Sequence, residues 1–332
     1  MKQIWMIGIG IIVTLMACNR LGTDNNPIFE KKATGLPYEV VVVMENGLWN
    51  DRVGDAVYAQ LTAPVPVLPQ NEPTMKVMHT DAKGFNGLMK YVRNVLLVDV
   101  NPQLYTRVSQ QTKRDEWAVG QQVQILTAPD TTALLACLEQ QQIDLARPFD
   151  QAEQERRASY LQQTHSIWVK DQVQTQFGAT LLAPEEMTSS KVTADFVWVS
   201  DNAKRGRSDL LVYSFPWKAD QPLTGHAWIA RRDSILKQNL PGSFKGSYMT
   251  TETRIPPIFE TNATSDHPGG TLRGLWRMQG DMMGGPFVSR ALYDAAHQRM
   301  IIAEGFVYAP QRHKAPLIRK LEASLRTFHL DK

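Results

Sequence analysis

Leu272-Arg-Gly-Leu-Trp-Arg-Met-Gln279, Pro286-Phe-Val-Ser-Arg-Ala-Leu-Tyr293 and Arg299-Met-Ile-Ile-Ala-Glu-Gly-Phe-Val-Tyr308 decide the fold class. Each run is rich in aliphatic and aromatic residues, and only residues 280–285 and 294–298 separate them. A parallel crossover needs about a dozen residues or more, so connections this short predict consecutive antiparallel strands. Residues 180–183, 195–200, 209–215 and 248–254 read as further strands. Thr224 caps a helix that turns Trp228, Ile229, Ile235, Leu236 and Leu240 inward and stops at Pro241-Gly242. A Pro/Gly-rich connection spans 255–270. The chain closes on an amphipathic helix. Leu317, Ile318, Leu321, Leu325 and Phe328 lie on one side of it, and Lys314, Arg319, Lys320, Glu322 and Arg326 on the other.

Residues 179–332 are therefore expected to form an α+β domain, a mostly antiparallel sheet with a middle and a C-terminal helix. On topology alone, this order loosely resembles the PsbP/Mog-type fold. The part before it reads differently. Residues 38–44 form a continuous β-branched run, as in a strand buried on both faces. Asn50 is placed to cap a helix carrying Val53, Val57 and Leu61. Four prolines (64, 66, 69 and 73) then make an extended connection. A strand at 74–80, a short helix at 83–91 and an apolar strand at 95–100 complete a βαβαβ-type order. Residues 107–113 and 121–128 read as an antiparallel pair, and Pro129-Asp130 opens a helix with Leu134, Leu135 and Leu138. Asp150 and Glu153 look like a capping box for a further helix, with Glu153 and Arg157 an i,i+4 pair. That helical pattern breaks near 164–166 and ends at Gly178. The expected N-terminal α/β domain is 36–178.

The first residues carry a different signal. Lys2 precedes twelve nearly all-apolar residues, Ile4 to Leu15. That suits the core of a signal peptide and is short of the ~20 residues of a spanning helix. Leu15-Met16-Ala17-Cys18 resembles a bacterial lipobox, with Met16 larger than the usual occupant. Residues 1–17 are expected to be a signal peptide, Cys18 a lipidation site carrying diacylglycerol and a palmitate-type acyl chain, and 18–35 a polar tether. By analogy with Gram-negative sorting rules, Asn19 in place of Asp points to the outer membrane, facing the periplasm. With Cys18 lipidated, Cys137 is left without a disulfide partner and reads as a buried, inert thiol.

The chemistry-bearing motifs are sparse. Among 332 residues, 43% are hydrophobic and 21% charged, and the net charge is +3, or +2 once Lys2 is removed. This excludes a disordered chain and gives no sign of a nucleic-acid partner. No two of the seven histidines stand at zinc-helix spacing. Neither a Gly-rich phosphate loop nor a Gly-x-Ser-x-Gly elbow is present. Ser234-Ile-Leu-Lys237 and Ser200-Asp201-Asn202 match fragments of penicillin-recognising serine enzymes, but in reversed order and without Lys-Thr-Gly. No metal and no cofactor is implied. Trp49, Trp217 and Trp276 lie near loops, where an exposed ring can stack on a glycan. Trp276, Arg277 and Asp281 beside the long 255–270 connection, together with Trp49, are the candidate ligand-binding residues. Lys204, Arg205 and Arg207 form a basic hairpin tip suited to anionic lipid headgroups.

As a set, Tyr38-Glu-Val-Val-Val-Val, Ala63-Pro-Val-Pro-Val-Leu-Pro-Gln, Phe85-Asn86-Gly87-Leu88, Arg93-Asn94-Val-Leu-Leu-Val, Phe196-Val-Trp-Val-Ser, Gly284-Gly-Pro-Phe-Val-Ser and Gly305-Phe-Val-Tyr-Ala-Pro resemble a domain-of-unknown-function family of Gram-negative envelope lipoproteins. The resemblance spans nearly the whole mature chain and implies no catalytic residues. The expectation is a lipid-anchored cell-envelope protein with a non-catalytic binding or structural role, held to the membrane by its N-terminal lipid and meeting an envelope protein or a glycan. The competing expectation is an envelope hydrolase or other enzyme acting on glycan, peptide or lipid near residues 255–286. Cys18→Ala should release the protein from the membrane fraction on cell fractionation; unchanged membrane association would sink the lipoprotein reading.

Overall fold

The computed structural model describes residues 31–261 and 269–331. The expected signal peptide, Cys18 and most of the tether lie outside the described residues. The described residues form one compact unit.

Its first part is a five-stranded mixed sheet. β1 (Glu39–Val43) pairs parallel with β2 (Lys76–Thr80) and β3 (Asn94–Val100), β3 parallel with β5 (Gln122–Ala128), and β4 (Ser109–Arg114) antiparallel along the β5 edge. The parallel strands are apolar on both faces because both are covered. Val40, Val42, Leu96, Val98 and Leu126 pack under α2 (Arg52–Leu61) and α3 (Thr131–Glu139), while Val41, Val43, Val95 and Val123 pack on Phe85. Asn50 closes the short α1 (Asn46–Trp49) instead of opening α2, whose N-cap is Asp51. The predicted 83–91 helix shrinks to one 3-10 stretch, Gly87–Tyr91.

α4 (Arg147–Gln163) also starts earlier than expected. The Asp144 carboxylate takes the Ala146 and Arg147 N–H groups, so Asp150 and Glu153 do not cap. Glu153 is buried and pairs with Arg93 and Arg156 at 2.9 and 2.7 Å, not with Arg157. Its face of α4 is turned onto the sheet, not to water.

The second part is an eight-stranded antiparallel half-barrel. Its path runs β10 (Tyr248–Glu252), β12 (Gly270–Gln279), β13 (Gly284–Asp294), β14 (Arg299–Tyr308), β9 (Arg207–Pro216), β8 (Phe196–Ser200) and β7 (Thr188–Thr193). β11 (Ile258–Thr261) pairs with β12. Part of the connection expected to be a bare loop is therefore a strand. A two-stranded ladder joins β6 (Ala179–Thr180) to β15 (His329–Leu330). One sheet face holds an aromatic core around α6 (Gly225–Asn239), with Trp228, Tyr213, Phe287 and Phe306. The other is covered by α5 (Ile167–Phe177) and α7 (Ala315–Arg326).

α5 packs across the expected boundary at 178/179. The sequence pattern groups α5 with the N-terminal part, yet Val169, Val173 and Phe177 are buried with Val197, Val199, Leu210 and Ile301 of the antiparallel sheet. The change of partner falls between α4 and α5, where Ser166 caps α5 through the Val169 N–H and the backbone breaks helical order. Gly178 then ends α5 in the left-handed conformation.

α7 lies so close to β14 that Gly305 has no room for a side chain. A Cβ there would stand 2.6 Å from the Leu321 Cβ. Buried overpacking costs about 1–3 kcal/mol. Gly305→Ala should lower stability by about that amount in urea denaturation, whereas Gly47→Ala, whose Cβ would approach nothing closer than a Glu45 oxygen at 3.7 Å, should shift it far less.

Candidate functional site

Strand alternation divides β12 and β13 between the two cores. Leu272 and Trp276, with Phe287 and Ala291, face α6. Thr271 and Arg273, with Val288 and Arg290, have the opposite parity and face the α7 side. Antiparallel register sets Thr271 opposite Arg290 and Arg273 opposite Val288. On α7, Arg319, Glu322 and Arg326 recur at helical spacing on the side that meets α4. α4 contributes Asp150 and Gln154. A cleft of about 440 Å³ results, lined by Gln154, Thr271, Arg273, Arg290, Glu322 and Arg326 among others.

Most of its polar groups are tied to one another. Gln154 Nε2 donates to Asp150 and Glu322 at 3.0 and 3.1 Å. Arg273 pairs with Glu322, and Arg319 with Asp150 at 3.3 Å. The Arg319 guanidinium also stacks on Tyr38, 3.9 Å from the ring centre. Arg326 reaches Glu155 at 3.4 Å, a carboxylate already held by Arg114 at 2.9 Å.

Arg290 is the exception. Its Nη1 donates to the Leu325 and Arg326 carbonyl oxygens at 3.0 and 3.4 Å, where it caps the negative end of α7. Among the described residues no carboxylate pairs with it, and its other donors have no protein partner. Burial, then the neighbouring Arg326 charge, pushes its pKa down. Burial does the same to Arg273, against Asp150 and Glu260, and pushes the Asp150 carboxyl up against Arg319 and Arg273. The cleft thus concentrates positive charge in a half-buried place where its own carboxylates are committed.

The four residues singled out from the sequence are placed elsewhere. Trp276 is 1% exposed. Its indole N–H donates to the Val307 carbonyl at 3.2 Å and its ring meets Phe306 edge-on at 5.5 Å. It is a core residue, because the strand parity that buries Leu272 buries Trp276 as well. Trp217 is buried too, with its N–H on the Gln221 carbonyl. Arg277 is half-exposed, bonded to Gln279 at 2.7 Å and standing 3.9 Å from Glu252. Asp281 accepts the Ser243 N–H, which ties the β12–β13 turn to the α6–β10 loop, and the adjacent Met282 N–H; these bonds hold its carboxyl below the usual range. The structure brings Arg277 and Asp281 to one end of a hairpin. Trp49 stands on the other sheet, stacked on His79 at 4.4 Å. Cys137 is buried, and burial pushes its thiol pKa up. Asp294 and His297 bond to each other at 2.7 Å. Among the described residues no group of three or more His, Cys, Asp or Glu could hold a metal ion, and no helix is long and apolar enough to cross a membrane.

Two family models match the sequence. One, Domain of unknown function (DUF8532), matches residues 33–162; the other, Domain of unknown function (DUF4837), matches residues 166–327. The gap between them coincides with the break between α4 and α5. No curated protein matches the chain. Among solved structures, the Saccharomyces cerevisiae Ran-binding protein Mog1p aligns at a TM-score of 0.31 and 9% identity, over 46% of this chain and 90% of that one. A variant of protein Mog1 aligns at 0.31 and 10%, over 47% and 92%.

Truncating a buried tryptophan costs about 3–5 kcal/mol. Trp276→Ala should lose about that much stability in chemical denaturation, while Arg277→Ala, at the surface of the same strand, should lose under about 1 kcal/mol.

Proposed function

We propose that the protein is a lipid-anchored envelope protein of Gram-negative bacteria with a non-catalytic binding role, and that the arginine cleft between α4, α7 and the antiparallel sheet holds an anionic group of its partner. The anchor reading is supported by the Lys2, Ile4–Leu15 and Leu15–Cys18 pattern. The binding reading is carried by one observation: Arg290, a half-buried guanidinium next to Arg326, has carbonyl oxygens but, among the described residues, no carboxylate beside it. A guanidinium fork matches a carboxylate or phosphoryl group in shape and charge. Thr271 adds a hydroxyl to the same cleft. An envelope protein with an acidic side chain or a glycan bearing a carboxylate meets this description.

Inorganic phosphate and citrate serve as probes. A ligand at about ten times its Kd stabilises the folded state by roughly 1.4 kcal/mol, a Tm rise of about 2 °C or more for a chain of this size. Either anion should produce such a rise, and Arg290→Met with Arg326→Met should abolish it while the circular dichroism spectrum is retained. A rise that survives both substitutions puts the anion elsewhere, and no rise with either anion removes the reading.

A further inference from the structure

A second basic cavity, of about 700 Å³, lies between the β8–β9 turn and the β14–α7 loop. Lys204, Arg205, Arg207 and Arg312 line it, with Tyr308 and Pro310 as its less polar wall. The two loops hold each other. Arg312 Nη1 donates to the Arg205 carbonyl at 3.0 Å, and the turn tip at Gly206 rests on α7, where a Cβ would come 3.2 Å from Leu317. Gly206 has a φ of 78°, the left-handed value a glycine adopts without strain.

The acidic groups near the cavity already serve the backbone or a buried partner. Asp201 accepts the N–H groups of Ala203 and Ser208. Asp209 is buried under Trp198 and takes Arg207 at 2.9 Å. Glu72 accepts the Lys314 and Ala315 N–H groups at the start of α7, with His313 at 3.4 Å. The Lys314 ammonium turns to Gln70 and the Arg312 carbonyl. Among the described residues, Lys204, Arg205 and Arg312 have no carboxylate partner, and all three are exposed. Three uncompensated cations are thus carried on two loops that lock together.

We propose that this saddle is a membrane-contact site that takes the phosphate of an anionic phospholipid headgroup. The cavity is open and its cations sit at loop tips, so it meets a charged surface better than it encloses a small solute. A negative lipid surface acts within a Debye length, about 8–10 Å, and rewards such side chains individually. The proposal relies on the anchor reading only for bringing the body close to a membrane. The arginine cleft and the saddle share no residue.

The test uses the full chain with Cys18→Ser in every arm, so that an anchored lipid contributes nothing. Binding is measured by co-sedimentation with vesicles of phosphatidylcholine alone and of phosphatidylcholine with phosphatidylglycerol. The quantity read is the increment due to phosphatidylglycerol. Each cation near the surface is worth about a five-fold factor. Lys204→Ala with Arg205→Ala should cut the increment by about 25-fold, and adding Arg312→Ala should cut it further. The control pair Lys83→Ala and Lys218→Ala removes the same net charge elsewhere and should leave the increment nearly unchanged. An equal loss in the control, or no loss in the saddle variant, overturns the proposal. So does inorganic phosphate that saturates the saddle and abolishes the increment at millimolar concentration, which would mark a site for a soluble phosphoryl ligand. Because Arg290 and Arg326 are untouched, failure here leaves the cleft reading standing, and failure of the cleft leaves this one.

Discussion

Leu321 against the bare backbone of Gly305 sets how close α7 sits to the antiparallel sheet. Much of the molecule depends on that distance. With α7 drawn down, Ile318, Leu321 and Leu325 complete the core shared with α5, and its other side is free to meet α4. Arg319 then reaches Tyr38 and the Thr74 carbonyl, and Glu322 reaches Gln154 and Arg273. The N-terminal part answers at the other end, where Glu72 satisfies the first N–H groups of the helix. A single helix therefore joins both parts, and the arginine cleft is the space left between α7, α4 and the antiparallel sheet.

In Arg290 a structural role and the proposed binding role share one side chain. It closes the last turn of α7, a favourable place for a cation. The carbonyl oxygens occupy only Nη1, and among the described residues no carboxylate neutralises the charge. A residue needed merely as a cap would not require a second guanidinium beside it. The Arg326 charge raises the cost of keeping Arg290 ionised and half-buried, and an anion in the cleft would lower it.

The sheet and helix periods were legible in the sequence, and so was the antiparallel character of the second half, because short connections allow little else. The cleft was not. Arg273, Arg290 and Arg326 are far apart in the chain. Period-two parity tells which face a strand residue takes, but the neighbour across the sheet comes from register, here Thr271 opposite Arg290. Trp276 departs from its sequence expectation for a different reason. Its closeness to a glycine-rich turn suggested exposure, although it shares its parity with Leu272, Leu272 lies in the core, and the same rule would have buried it. The helical run before Gly178 was read as one N-terminal block. Its break at 164–166 is where the chain changes sheets, and a capping serine was the signal for it.

The reach of α7 also bears on the order in which the protein is made. Its bonds to Glu72 and Thr74 span 242 and 245 residues of sequence. The N-terminal sheet is synthesised before α7, yet Tyr38, Glu72 and the polar face of α4 must wait for that helix before they are covered. Long-range contacts of this kind slow folding and leave polar and apolar surface open in the meantime. A chain made only as far as residue 313 is therefore not a finished N-terminal domain. It is an open structure whose closing piece, Ala315–Arg326, is still to come.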